Sequence, residues 1–141
     1  MASIRSGIGE NMEDRYLFKA KHFDEWHIGN IVKEPDGLYI RDIKKNVMTY
    51  IDDESTICQC TGLKDKNGNL IWENDIVGFW DTYSTENGQA EMDCIGKVVW
   101  DDETISFQVT NRLSAESYEA LDECSVIGNI FDNKELLENE E

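Results

Sequence analysis

The side chains best suited to hold a metal ion are four cysteines and two histidines: Cys58, Cys60, Cys94, Cys124, His22 and His27. Cys58 and Cys60 stand two apart, so in a strand their thiols share one face. Structural zinc usually needs two to four residues between paired ligands and a second such pair. We therefore predict four reduced thiols that act as small apolar residues, with no metal and no cofactor. A Cys2His2 zinc site is the alternative.

Glu73 and Asp75 are the carboxylates whose spacing comes nearest to an acid–base pair. In an extended segment they share a face, but no nucleophile or supporting base accompanies them. An acid where a strand begins more often caps a turn, so we predict no catalytic residues. The alternative is a metal-dependent hydrolase that uses Glu73 and Asp75 with further acids from Asp93 or from Asp101-Asp102, since carboxylate oxygens suit divalent cations.

Gly62 and Gly68 raise the question of a phosphate-binding loop. That motif has four residues between its glycines and a lysine after the second, whereas here five residues intervene and Asn69 follows. Asn67-Gly68 is instead a strong signal for a β-hairpin with a type I′ turn, in which both residues have positive φ. The segment therefore predicts a hairpin.

Charge is distributed unevenly along the 141 residues. The net charge is −17, yet residues 1–50 hold eight acids and eight bases, so the whole imbalance lies in residues 51–141. Such a surface repels phosphate backbones, which disfavours direct binding of nucleic acid. No apolar stretch is long enough to span a membrane, and we expect a cytoplasmic protein. The acidic surface serves solubility or engages a basic protein.

Short β-like segments separated by turn signals at intervals near ten residues predict a mainly β fold. We expect N-terminal strands within residues 15–60, a small SH3-like barrel in residues 60–131 and a short C-terminal helix in residues 132–139. Residues 81–93 are polar and predict a loop. Residues 1–11 are expected to be a disordered leader, and residues 12–141 a single domain.

The run "TGLKDKNGNLIWENDIV" resembles the signature of the YopX family of phage and prophage proteins, and "SVIGNIFDNKELLE" resembles that family's C-terminal signature. The resemblance implies a mainly β protein that a phage or prophage encodes and that works in the bacterial cytoplasm, with no established activity. Asn74 replaces the family's usual glycine, which predicts a left-handed backbone there. The signature residues are expected to be structural: Thr61, Gly62, Leu63, Asp65, Asn67, Gly68, Glu73, Asn74 and Asp75.

These observations favour a non-enzymatic binding or assembly protein whose acidic surface engages a basic host or phage protein. The neutral N-terminal third can approach another copy with less repulsion than the acidic remainder. We therefore expect a homo-oligomer whose contacts involve residues 15–60.

Overall fold

A computed structural model describes residues 16–42, 44–110, 115–116 and 123–138. Antiparallel strands dominate it, which confirms the predicted mainly β class. The chain divides into two compact units, Met1–Leu63 and Lys64–Glu141. The predicted leader, residues 1–11, lies outside the described residues, and the assignment of residues 12–141 to one domain stays a prediction. No described helix is long and apolar enough to cross a membrane.

The first unit is an open antiparallel sheet. Its neighbouring strands follow the order β4-β3-β2-β1-β5. Their bounds are β1 (Phe18–His22), β2 (Glu25–Glu34), β3 (Gly37–Asp42), β4 (Val47–Tyr50) and β5 (Cys58–Lys64). A core of apolar side chains covers one face: Ala20, Ile31, Ile40, Ile51, Leu38 and Ile57. The N-terminal strands predicted within residues 15–60 are therefore confirmed.

Gly29 is the point at which β2 changes its partner. The strand pairs with β1 up to Gly29 and with β3 from Asn30 onward. A Cβ atom on Gly29 would overlap the carbonyl oxygen of Arg41. Glycine is therefore required here by a close backbone approach.

The second unit contains β6 (Leu70–Trp72), β7 (Asp75–Thr85), β8 (Gly88–Asp101), β9 (Ser106–Thr110), β10 (Ala115–Glu116) and β11 (Ser125–Asn129). Its antiparallel sheet has the order β10-β9-β8-β7-β11. The core is built from Ile71, Val77, Phe79, Val98, Val109 and Cys124. Closure into an SH3-like barrel is not confirmed, because the sheet is open among the described residues and ends at β10 and β11.

The predicted loop over residues 81–93 is wrong. β7 and β8 run through it as paired strands and meet at a two-residue turn, Glu86-Asn87. Polar residues suit a strand ribbon that has solvent on both faces, so polarity alone did not separate loop from strand. Gly88, the first residue of β8 after this turn, has φ of 121°, a conformation that favours glycine.

The C-terminal helix is present but starts later than predicted, at Glu135, and it runs to Glu138. The side-chain oxygen Oδ1 of Asn129 accepts the N–H groups of Phe131 and Asp132, both at 2.9 Å. These bonds hold the chain in a turn after β11 and delay the helix. Residue 139 lies outside the described residues.

Candidate functional site

Asp65 organises the turn inside the sequence signature. Its side chain is only 5% exposed. Oδ1 accepts the N–H groups of Asn67 at 2.9 Å and Asn69 at 2.8 Å, while Oδ2 accepts the N–H of Val126 at 2.9 Å. A buried carboxylate is stable only when such donors replace water, so Asp65 is bound into the fold and not presented to a ligand.

The hairpin predicted at Asn67-Gly68 is confirmed, but its type I′ turn is wrong. The N–H of Asp65 donates to Asn69 O at 2.8 Å, and that of Gly68 donates to Asp65 O at 3.0 Å. Gly68 has φ of 87°, whereas Asn67 does not have a positive φ. This geometry fits a type I turn followed by a left-handed glycine, and the Asp65 side chain supports the turn by accepting the N–H of Asn67.

The ionisation of Asp65 reflects two opposing effects. Burial by itself raises the pKa of the carboxyl group, but the hydrogen bonds from Val126, Asn69 and Asn67 outweigh it. The pKa therefore lies below its ordinary value of 3.8. The carboxylate stays charged at neutral pH and does not suit a role as general acid.

Asn74 and Asp75 form a second structural turn. Asn74 has φ of 73°, which confirms the predicted left-handed backbone. Its N–H donates to Val98 O at 2.8 Å, and its carbonyl oxygen accepts the N–H of Ile130 at 3.0 Å. Asp75 is 2% exposed, and its Oδ2 accepts the N–H of Trp72 at 2.8 Å. The Asp75 carboxylate thus closes the turn from β6 into β7.

The signature begins in β5 of the first unit. The hydroxyl oxygen Oγ1 of Thr61 accepts the N–H of Leu63 at 3.1 Å. Gly62 between them has φ of 83°, a conformation that favours glycine. Leu63 is exposed, and Glu73, later in the signature, is half-buried.

The remaining acids of the hydrolase alternative lie on β8 or in the turn that follows it. Asp101 accepts the N–H of Glu103 and the hydroxyl of Thr104, both at 3.0 Å, and Asp102 accepts Nε1–H of Trp100 at 2.8 Å. Asp93 is exposed on β8. Across the described part of the chain, no three His, Cys, Asp or Glu side chains are grouped so as to hold a metal ion.

Three of the four cysteines are shielded from solvent. Cys58, Cys60 and Cys124 are buried and Cys94 is half-buried, and no disulfide joins any of the four. Burial, reinforced by the nearby Asp65 charge, raises the pKa of Cys124 to about 11. Cys124 is therefore a neutral thiol at physiological pH and a weak nucleophile.

The paired strand ends around the turn at Glu86-Asn87 form a feature that we call the arm, residues 79–96. β11 pairs with β7 only over residues 75–78, and β9 pairs with β8 only over residues 97–101. The two strands of the arm pair with each other and with no other described strand. Among the residues that the structure describes, both backbone edges of the arm are consequently open to a further strand.

The surface of the arm is acidic and carries apolar anchors. The arm contains Asp81, Glu86, Glu91 and Asp93 and no lysine or arginine. Trp80 is 63% exposed, and Met92 is also exposed. An open strand edge, a uniform negative charge and an exposed tryptophan together can hold an extended basic segment. Sequence reasoning missed the arm because it assigned these residues to a loop.

The family model described as YopX protein matches residues 16–138. The chain belongs to the YopX family. The match reaches into both units and includes the Asp65 turn, the Asn74 turn and the arm, so the arm belongs to the YopX-like part of the molecule. No curated protein matches the sequence.

Proposed function

We propose that this member of the YopX family is a non-enzymatic, phage-type binding or assembly protein that works in the bacterial cytoplasm, and that the arm holds its partner. The observation that carries the proposal is the pair of open strand edges on the arm. The family match supports a phage-type protein of undefined role. The arm provides a surface to which a partner can bind.

Backbone energetics favour a third strand on the arm. A two-stranded ribbon is marginally stable in water because few of its side chains are shielded and half of its backbone groups face solvent. An added strand satisfies the N–H and C=O groups along one edge and shields apolar side chains such as Trp80. Binding through the backbone requires an extended segment in the partner but little specific sequence.

The negative charge of the arm favours a basic partner segment. Between Lys66 and Lys97 the sequence has no basic residue, and the arm lies wholly within this interval. A partner strand rich in lysine or arginine gains favourable long-range attraction and faster encounter. A nucleic acid is repelled by the same field. We therefore propose a basic host or phage protein as the partner.

An enzymatic role has less support. Asp75 and Asp101 accept hydrogen bonds from nearby main-chain groups, which fits a structural role for both carboxylates. Thermal melts in Mg²⁺, Mn²⁺, Ca²⁺ or Zn²⁺ discriminate between the roles, because a metal that binds the folded state stabilises it saturably. We expect only a gradual, non-saturating rise from charge screening, and saturation at low metal concentration would favour the hydrolase.

A shortened arm tests the proposal. Deleting residues 81–84 and 89–92 removes four residues from each strand and keeps the turn from Thr85 to Gly88. Because four is even, the strand register and the faces of the remaining side chains are retained. Wild-type and shortened proteins are immobilised and exposed to bacterial lysate, with and without phage infection.

We expect a basic protein that wild type retains at moderate salt and the shortened variant does not. Trp80→Ala should weaken its capture, while the matched control Ile28→Ala, which removes an exposed apolar side chain from the first unit, should not. Equal capture by the wild-type and shortened proteins, with equal melting temperatures, would contradict the assignment of the partner site to the arm.

A further inference from the structure

We propose that two copies of this chain form a symmetric dimer by antiparallel pairing of their β4 strands. This inference concerns the first unit and does not depend on the arm or its partner. It rests on the open edge formed by β4, on the direction of that strand's backbone groups and on the charges that flank it.

Among the described strands, β4 lies at an edge of its sheet and carries none of the usual protections. It pairs with β3 on one side and ends the strand order of its sheet. Val47 is 53% exposed, and Met48 and Tyr50 are also exposed. Natural edge strands are commonly protected by proline, by an inward-pointing charge or by a bulge, and the sequence VMTY has no proline and no charge.

Backbone geometry determines which groups face the open edge. The N–H of Ile51 donates to Leu38 O at 2.9 Å, so these residues form a hydrogen-bonded pair of the antiparallel ladder. Such pairs alternate along the strand, which makes Thr49 and Ile40 the next one. Met48 and Tyr50 therefore direct their N–H and C=O groups away from β3, toward the open edge.

A two-fold pairing must join these outward-facing residues. With Thr49 opposite Thr49 of the second copy, Met48 of each chain faces Tyr50 of the other, and four interchain backbone hydrogen bonds form. The same register brings the exposed Met48 and Tyr50 side chains together across the strands, on the face where Tyr50 already packs against Tyr39 with ring centroids 5.4 Å apart.

The charges around β4 are self-complementary in this register. Lys44 and Lys45 precede the strand, and Asp52, Asp53 and Glu54 follow it. With Thr49 at the two-fold axis, the lysines that precede β4 in one copy lie at the same end of the strand pair as the acids that follow β4 in the other copy, on both sides of the axis. Exposed ion pairs contribute little energy each, but they select an antiparallel register over a parallel one, which would juxtapose like charges.

The same charges favour a second copy over a different partner. Each chain carries −17, so two copies repel each other over most of their surfaces, but residues 1–50 are electrically neutral. A strand flanked by lysines at one end and acids at the other is complementary to its own antiparallel image, and an isologous contact closes as a dimer without open-ended growth.

Met48→Pro tests the pairing without disturbing the first unit's own sheet. The N–H of Met48 points outward, so proline removes interchain donors and leaves the bonds between β3 and β4 in place. We expect sedimentation equilibrium to give twice 16.2 kDa for wild type and for the control Met48→Ala, and a monomer for Met48→Pro. A wild-type monomer at all concentrations, or a dimer that survives Met48→Pro, would overturn the proposal.

Charge exchange and cross-linking test the register. Lys44→Glu and Glu54→Lys should each weaken the dimer about tenfold at low salt, and the double variant should recover because each copy then supplies both reversed charges. Thr49→Cys should form an interchain disulfide, since Cα atoms across a non-hydrogen-bonded pair lie about 4.5 Å apart. Failure of the double variant to recover, or a Thr49→Cys dimer without the disulfide, would rule out this register.

Discussion

The main-chain N–H of Val126 donates a 2.9 Å hydrogen bond to Oδ2 of Asp65, across 61 residues of sequence. The N–H of Lys66 donates to Cys124 O at 3.0 Å beside it. These bonds join the signature turn to the start of β11, an edge strand of the second unit's sheet. The most distinctive part of the sequence therefore acts here as a structural clamp.

Asp65→Asn should destabilise the protein by about 1–3 kcal/mol at pH 7, because the amide replaces one acceptor oxygen with a donor that faces N–H groups. Asp93→Asn, which removes the same charge from an exposed position, is the control and should change the unfolding free energy little. Urea unfolding monitored by tryptophan fluorescence measures both. Equal stability of the two variants would show that the clamp contributes nothing.

The stability that Asp65 provides should also depend on pH. The pKa of Asp65 is lowered in the folded state, so the contribution is fully present above the unfolded pKa near 3.8 and is lost as pH falls through the folded pKa. The difference between wild type and Asp65→Asn should thus shrink below pH 4. A difference that stays constant from pH 7 to pH 2 would contradict the hydrogen-bond assignment.

Gly68→Val should cost about 1–3 kcal/mol of stability, because φ of 87° strains a β-branched residue. No atom lies within 4 Å of the position a Cβ would take, so a steric clash does not complicate the result. Gly68→Asn, which tolerates a left-handed backbone, is the matched control and should cost less. The idea fails if the valine and asparagine variants melt together.

Asn74→Gly should be neutral or stabilising, and Asn74→Val should cost about 1 kcal/mol or more. The reason is again a positive φ, here 73°, fixed by backbone hydrogen bonds to Val98 and Ile130. Thermal unfolding of the three proteins measures the effect. Indistinguishable melting temperatures would mean that the turn adjusts its backbone freely.

Thiol reactivity should separate the cysteines by burial. At pH 8 the folded protein should react first at the half-buried Cys94, while Cys58, Cys60 and Cys124 react only after unfolding. The pKa of Cys124, raised to about 11, adds to its protection because little thiolate forms. All four thiols should react in denaturant without reduction, as read by mass spectrometry. Zinc release on that reaction, detected with a chromogenic chelator, would support a metal site instead.

Local turn chemistry was the part of the fold that the sequence predicted best. The left-handed position of Asn74 and the hairpin at Asn67-Gly68 follow from backbone preferences that need no distant contact. The turn type of that hairpin could not be predicted from local preferences. The Asp65 side chain takes part in the turn, and it also accepts a hydrogen bond from Val126, which is far away in sequence. Whether the sheet closes into a barrel could not be predicted from local sequence patterns either, because strand order depends on pairing between residues that are distant in sequence.

The arm was harder to predict, because a run of polar residues is typical both of a loop and of a strand that is exposed to solvent. Residues 81–93 are polar, as a loop is, yet they form paired strands that meet at Glu86-Asn87, and from Ser84 to Asp93 all residues but Ala90 are exposed. Exposure of Trp80 could not be read from the sequence either, because its neighbour Phe79 is buried in the core. Neighbouring strand residues point to opposite faces, and only the packing of the second unit's core shows that the face of Phe79 is the buried one.

Site-specific photo-cross-linking tests the central claim, that the arm holds a basic partner, most directly. A photoreactive residue replaces the exposed Met92 on the arm or, as a control, the exposed Ile28 in the first unit. Each variant is irradiated in infected bacterial cells. We expect a cross-link from position 92 to a distinct basic protein, through an extended lysine- or arginine-rich segment, and none from position 28. No cross-link from position 92, or the same products from both positions, would contradict it.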